Sequence, residues 1–177
     1  MVPTMSPQLR MATLALLAAA CAAAACSSAP PPSNTLTPVE CATNDSCTCD
    51  SDCNDSCAEG NCFFQCNANS CTLNCPGGSC DAYVIAGASA SLGCLNGQCT
   101  LSSEGPGNNI IDCPGGGCGA FCNGSTSCLI EQCTSNCNLR CKGVPDGGCV
   151  ICQDLVPDGG TCGNPCGDAG GCNIFYE

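Results

Sequence analysis

Residues 57–80 read CAEGNCFFQCNANSCTLNCPGGSC, and the spacing of their cysteines decides the fold. From Cys57 the next cysteines follow after five, four, five, four and five residues, so each unit of two cysteines spans nine residues. A short period held over several units is typical of repeat architectures. We therefore expect the stretch from Cys57 to Cys141 to be an array of short, repeated structural elements.

The segments between the cysteines alternate between two kinds. Three-residue segments such as 72–74 (Thr-Leu-Asn) have an apolar centre, and four-residue segments such as 76–79 (Pro-Gly-Gly-Ser) consist of turn-forming residues. Alternate residues of a strand share a face, so Cys71, Leu73 and Cys75 are predicted to point inward together. Proline followed by glycine supplies the backbone angles of a tight corner. The pattern predicts short, half-buried strands joined by tight corners.

Cysteines are missing in pairs between Cys80 and Cys113. The continued period predicts cysteines at four positions that hold other residues: Val84, Ser89, Ser103 and Asn108. Each missing pair flanks one corner. Residues i and i+4 of a strand lie about 13 Å apart, too far for a disulfide, which leaves pairing across a corner or between stacked layers. The loss of cysteines two at a time favours pairing across corners.

The retained corners recur every 18 or 19 residues, which predicts a coil of two short strands and two corners. The expected fold is a small, disulfide-rich, all-β structure: a short-strand β-solenoid of four to five coils, with few or no helices outside the N-terminal segment. A disulfide-stapled β-meander is the alternative. The predicted disulfide cysteines are Cys57, Cys62, Cys66, Cys71, Cys75, Cys80, Cys94, Cys99, Cys113 and Cys118.

The composition indicates that cross-links replace a conventional core and disfavours several classes of function. The chain has 26 cysteines in 177 residues, no Trp and 3% aromatic residues. It has no His and therefore lacks an ordinary near-neutral general base. A net charge of −12 with three basic residues argues against nucleic-acid binding. We expect a non-enzymatic protein without a cofactor.

The N-terminus resembles an export signal. Residues 1–25 contain Arg10 and then a short apolar run, which predicts a signal peptide. Two cysteines follow runs of alanine, Cys21 and Cys26, and either is a candidate for lipidation. Lipidation at Cys26 leaves an even number of cysteines, 24, so Cys26 is preferred. Residues 26–40 are predicted to be a Pro/Ser linker, 41–141 the cysteine-rich repeat domain, and 142–177 a loop-rich, disulfide-stapled C-terminal cap.

Two further motifs are candidate functional sites. Asp50, Asp52 and Asp55 follow the opening of a calcium-binding loop, but the glycine and the final glutamate of that loop are absent. The three aspartates are the only metal candidate, and a solvated acidic loop is the preferred interpretation. The motif formed by Cys149 and Cys152 has the spacing of a redox pair without the helical context that such a pair needs, so structural cysteines are preferred.

The C-x-G-G-x-C corners and C-x-[LFA]-x-C strands, placed behind a lipoprotein-type leader, resemble those of a loose group of uncharacterised bacterial cysteine-rich repeat lipoproteins. The resemblance covers residues 57–141 and the leader, and it implies no catalytic residues. We expect an exported, envelope-anchored structural or interaction protein, at the outer membrane or cell surface or else secreted. The N-terminal lipid would bind the membrane, and a protein or glycan partner is left open. The alternative is a metal-binding protein that uses acidic loops or free thiols.

Overall fold

The computed structural model describes residues 38–85, 87–152 and 172–177. Fourteen strands run through these ranges: β1 Val39–Glu40, β2 Ser46–Cys49, β3 Cys53–Ser56, β4 Phe63–Cys66, β5 Ser70–Asn74, β6 Asp81–Val84, β7 Ser89–Gly93, β8 Thr100–Glu104, β9 Asn108–Asp112, β10 Gly119–Asn123, β11 Ser127–Glu131, β12 Asn138–Lys142, β13 Cys149–Ile151 and β14 Asn173–Tyr176. No helix within the described ranges is long and apolar enough to cross a bilayer. The predicted signal peptide, Cys21 and Cys26 lie outside the described residues.

The strands form two seven-stranded sheets, and the chain passes from one to the other at every corner. The odd-numbered strands β1 to β13 pair in sequence order in the first sheet, and the even-numbered strands β2 to β14 do so in the second. Every pairing is parallel, as in the register of Cys71 with Ala90 and of Ala82 with Leu101. The predicted β-solenoid is therefore confirmed, and the meander, whose neighbouring strands are antiparallel, is wrong.

The coil length follows from the register of stacked strands. Cys53 pairs with Cys71 at a step of 18 residues, and Ala90 pairs with Asn109 at a step of 19. Between Cys57 and Cys141 the first sheet has four strands and the second has five, which are the expected four to five coils. The solenoid continues on both sides of this stretch. Strands β1 to β3 precede it, and β13 and β14 extend the sheets into the segment predicted as a loop-rich cap.

The inward side chains form two central rows between the sheets. In the first sheet the row consists of Leu73, Leu92, Ile111, Ile130 and Ile151. In the second sheet large and small residues alternate along Phe64, Ala82, Leu101, Ala120 and Leu139. All of these side chains are buried in one cluster together with the cysteines. These two rows and the cysteines fill the layer between the sheets.

Candidate functional site

Disulfides clamp the corners of the solenoid along its two edges. Ten join pairs of described cysteines, and the two members of each pair flank one corner. At the first edge, where the chain leaves the first sheet, they are Cys41–Cys47, Cys57–Cys62, Cys75–Cys80, Cys94–Cys99, Cys113–Cys118 and Cys133–Cys137. At the second edge they are Cys49–Cys53, Cys66–Cys71, Cys122–Cys128 and Cys141–Cys149. The cysteines predicted from the spacing are thus joined across corners.

Two corners of the second edge have no disulfide, and they lie where the sequence lacks cysteines. Val84 and Ser103 are in register with Cys66 and Cys122, as the nine-residue period predicts. The other two predicted positions are wrong by one residue. Ala90 and Asn109, rather than Ser89 and Asn108, align with Cys71 and Cys128. A corner at this edge has grown by one residue, as the six-residue step from Cys122 to Cys128 also shows.

A small polar cluster replaces the disulfide at one of these corners. Ser103 and Ser125 are buried with their hydroxyl oxygens 2.9 Å apart, and the Asn109 amide donates a hydrogen bond of 3.3 Å to Ser125. The Asn109 Oδ1 atom is buried without a partner among the described residues. Hydrogen bonds between buried polar groups thus take the place of a covalent clamp, and they leave one acceptor unsatisfied.

A designed disulfide tests this register. The double variant Ser103→Cys/Asn109→Cys should form a bond on oxidation, because these positions align with Cys122 and Cys128, whose Cα atoms are 6.3 Å apart. We expect a stabilisation of about 2 kcal/mol in guanidinium denaturation, since the closed loop is short. The matched control is Ser103→Cys/Asn108→Cys, because Asn108 is exposed and points away from the core. Free thiols in the first variant and a disulfide in the control would contradict the register.

The three aspartates considered as a calcium loop have separate partners. Asp50 accepts a hydrogen bond of 2.8 Å from the Asn67 side chain, and Asp52 accepts one of 3.1 Å from the backbone amide of Ser70. Both acceptors join the loop between β2 and β3 to the next coil. Asp55 instead points inward from β3 in register with Leu73 and is 6% exposed. Two of these carboxylates staple neighbouring coils, and the third lies in the core.

Burial raises the pKa of the Asp55 carboxyl above its ordinary value of 3.8, because desolvation disfavours the charged form. Its Oδ2 atom lies 3.1 Å from Cys49 Sγ. Cys49 is bonded to Cys53, so its sulfur has no proton, and only the protonated carboxyl could donate a hydrogen bond there. Both the burial and this contact favour the neutral acid.

This burial predicts a stability that decreases as the pH rises. An acid whose pKa is raised in the folded state binds its proton more tightly in that state than in the unfolded state. Its burial therefore lowers the free energy of unfolding least at a pH below the unfolded pKa, where the acid is protonated in both states. That advantage is lost as the pH rises through the folded pKa. We expect Asp55→Asn to remove this part of the pH dependence, and Asp81→Asn, at an exposed position, to leave it unchanged. Urea denaturation between pH 3 and pH 8 measures the difference. A parallel pH dependence for wild type and Asp55→Asn would refute the prediction.

The described cysteines offer no pair of redox or metal-binding thiols in this oxidised form. Cys149 is bonded to Cys141 and not to Cys152, which is also disulfide-bonded. Three groups of cysteine sulfurs lie close enough together to hold a metal ion: Cys49/Cys53/Cys71, Cys57/Cys62/Cys80 and Cys133/Cys137/Cys172. All of these sulfurs belong to disulfides. Thiolates, which zinc and copper require, would appear only after reduction.

The outward face of the second sheet carries the most distinctive surface side chains. One row of residues in register crosses five strands: Tyr83, Ser102, Phe121, Arg140 and Phe175. We call it the aromatic–basic row. The Arg140 guanidinium lies 5.5 Å from the ring centres of both Phe121 and Phe175. A cavity of about 240 Å³ is lined by this row except for Phe175, and it extends to Glu104, Asn123, Lys142 and Glu177. None of these five residues was among the candidate site residues predicted from the sequence.

Comparison of the chain with known protein families, with curated proteins and with solved structures finds no match. A functional site is therefore inferred from the geometry of the structure itself. This geometry consists of the disulfides at both edges, the filled interior and the aromatic–basic row on the outer face of the second sheet.

Proposed function

We propose that the protein is a non-enzymatic lipoprotein of the bacterial envelope, in which a disulfide-clamped solenoid serves as a rigid structural or interaction element. The observation that carries this proposal is the oxidised state of the cysteines. All those in the described residues are disulfide-bonded. Disulfides persist in oxidising compartments outside the cytoplasm. A signal peptide in residues 1–25 would deliver the chain there.

The shape of the solenoid supports a role in interaction. The space between the sheets is filled by the two central rows and the cysteines. The outer faces, by contrast, consist of regular rows of exposed side chains at the spacing of the strands, about 4.8 Å. Such faces suit contacts with an extended partner. The alternative, metal binding by free thiols, would need reduced cysteines in place of these disulfides.

Membrane attachment is expected to depend on Cys26. A Cys26→Ser variant should move from the membrane to the soluble fraction, because the proposed lipid at Cys26 would be the anchor that holds the protein there. The matched control is Cys21→Ser, which should stay in the membrane and carry a lipidated N-terminus at Cys26 by mass spectrometry. The reverse behaviour of the two variants would assign the lipid to Cys21. Unchanged membrane association of both would contradict a lipid anchor.

The oxidation state is tested on the same exported protein. Labelling with a maleimide in denaturant should detect almost no free thiol, and metal analysis should find no stoichiometric zinc or copper. Many free thiols with bound metal would instead support the metal-binding alternative.

A further inference from the structure

We propose that the cavity over the aromatic–basic row binds a carboxylate-bearing saccharide, such as a uronic acid unit of an acidic glycan. This inference names a ligand for the interaction role proposed above, but it does not depend on where the protein is anchored. It rests on the arrangement of rings, cations and polar groups around one cavity.

The basic residues of the described part of the chain lie at this cavity. The chain carries three basic residues and a net charge of −12. The two basic residues in the described part, Arg140 and Lys142, lie two positions apart on β12, so both point outward on the same face. Both line the cavity. The carboxylates of Glu104 and Glu177 also line the cavity and balance its charge overall. The aromatic–basic row itself contains no acidic residue, so Arg140 is the group in the cavity that is complementary to an anion.

The guanidinium of Arg140 has hydrogen-bond donors that are available to a ligand. Its guanidinium lies between two phenylalanine rings, which hold it over their faces. Among the described residues no oxygen accepts a hydrogen bond from it. Cation–π contacts leave the N–H groups of a guanidinium free to donate hydrogen bonds, and these donors match a carboxylate in a bidentate geometry. The two rings thus flank a guanidinium whose donors have no acceptor among the described residues.

The spacing of the Tyr83 and Phe121 rings favours a sugar over a flat nucleobase. Tyr83 and Phe121 are two strands apart, and Ser102 between them has a short side chain. Two strand spacings are about 9.6 Å. A flat nucleobase stacked on both sides needs rings about 7 Å apart, whereas a puckered sugar ring is thicker. The gap therefore favours a pyranose, whose C–H faces pack on aromatic rings, over a nucleotide.

The polar groups at the rim of the cavity and the volume of the cavity also fit one sugar unit. Asn123 lies in register between Glu104 and Lys142, so amide, carboxylate and ammonium groups border the cavity on one side. These groups can exchange hydrogen bonds with sugar hydroxyls. Glu104 and Glu177 also line it and disfavour a multiply charged phosphate relative to a single carboxylate. The volume of about 240 Å³ is below that of a drug-sized site and suits one sugar unit.

The test is a titration of the full-length protein in detergent with trigalacturonic acid. The chain has two tyrosines and no Trp, so a Tyr176→Phe variant leaves Tyr83 as its one tyrosine reporter. We expect tyrosine fluorescence to change on binding, with affinity that falls as salt is added. Arg140→Ala, Lys142→Ala and Phe121→Ala should each weaken binding about tenfold, the effect of losing one charged contact or one stacked ring.

The matched control is Phe63→Ala. Phe63 lies on the same sheet and is 42% exposed, close to the 41% of Phe121, but it does not line this cavity. Its loss should leave affinity unchanged. Circular dichroism checks that each variant is folded. Equal binding of a neutral trisaccharide, tighter binding of a nucleotide, no binding at about 10 mM or full affinity in Phe121→Ala would each overturn the proposal. None of these outcomes bears on lipidation or on the thiol count.

Discussion

Reduction of the native protein with dithiothreitol is expected to unfold the solenoid completely. Each disulfide closes a loop whose ends are four to eight residues apart in sequence. A loop of this size removes about 2 kcal/mol of chain entropy from the unfolded state. Ten such bonds together contribute more than the 5–15 kcal/mol by which a typical domain is stable. The reduced chain should therefore lose its folded state at room temperature.

The apolar rows do not replace this contribution. Each coil places about two apolar side chains in its centre, whereas a conventional core contains many more for each ordered residue. The measurement is far-ultraviolet circular dichroism and amide exchange before and after reduction, with alkylated thiols to prevent reoxidation. The control is the oxidised protein carried through the same alkylation. Retention of the β-sheet signal and of slow exchange after reduction would mean that hydrogen bonds and packing alone maintain the fold.

The variant Gly97→Ala is expected to destabilise the protein by about 3 kcal/mol or more, an effect near the upper end for a single methyl group. Gly97 has φ of 78°, which an alanine adopts only at a cost. A Cβ atom there would lie 2.1 Å from the carbonyl oxygen of Gly116 in the next coil. That oxygen accepts the hydrogen bond from the amide of Gln98. The two coils would have to separate at this corner and lose the bond.

A second glycine separates the two causes. Gly147 has a similar φ of 80°, but a Cβ atom there meets nothing within 4 Å. Gly147→Ala should therefore cost about 1 kcal/mol, the backbone contribution alone. Guanidinium denaturation of the two oxidised variants measures the difference. Equal stability of the two variants would show that the close approach between coils does not matter for the fold.

The periodic features of the fold were predictable from the cysteines alone. A disulfide reaches only a short distance, so regularly spaced cysteines in an exported chain restrict where the chain can turn. Cys71, Leu73 and Cys75 are all buried, and Thr72 between them is exposed, as the alternation of a strand predicts. Corner glycines such as Gly78, Gly97 and Gly116 have the positive φ that a sharp change of direction needs.

The features that depend on an exact register were not predictable. Ser89 and Asn108 were expected inward, but a corner longer by one residue places Ala90 and Asn109 there. A shift of one residue exchanges the two faces of a strand, and no cysteine marks the shift in these coils. The contact between Ser103 and Ser125 was equally hidden, because the two residues lie in different coils and are joined only by the fold.

The aromatic–basic row was partly visible in the sequence. Ser102, Phe121 and Arg140 follow one another at 19 residues, the step of the coil, and this step could have placed them side by side. Phe175 could not be found in this way. It follows Arg140 by 35 residues and still pairs with it, because the segment between β13 and β14 interrupts the period. The carboxylates of Asp50, Asp52 and Asp55 are likewise separate, because the first two lie in the loop between β2 and β3 and the third points inward from β3.

The disulfides between described residues all lie within a corner, and this determines how the solenoid would respond to tension. None of the ten joins two coils, so these ten bonds do not resist the peeling of a coil from the next, and hydrogen bonds and packing do so between the coils that they clamp. A coil of 19 residues spans about 68 Å when extended. A disulfide between cysteines five residues apart, such as Cys75–Cys80, keeps the two Cα atoms 6.3 Å apart. Each such clamp therefore shortens the extended coil by about 12 Å. A folded coil already spans about 4.8 Å along the solenoid, so coils with one clamp would lengthen in steps of about 50 Å and coils with two in steps of about 40 Å. Under tension the solenoid would therefore lengthen coil by coil, while the disulfides at the corners stay intact.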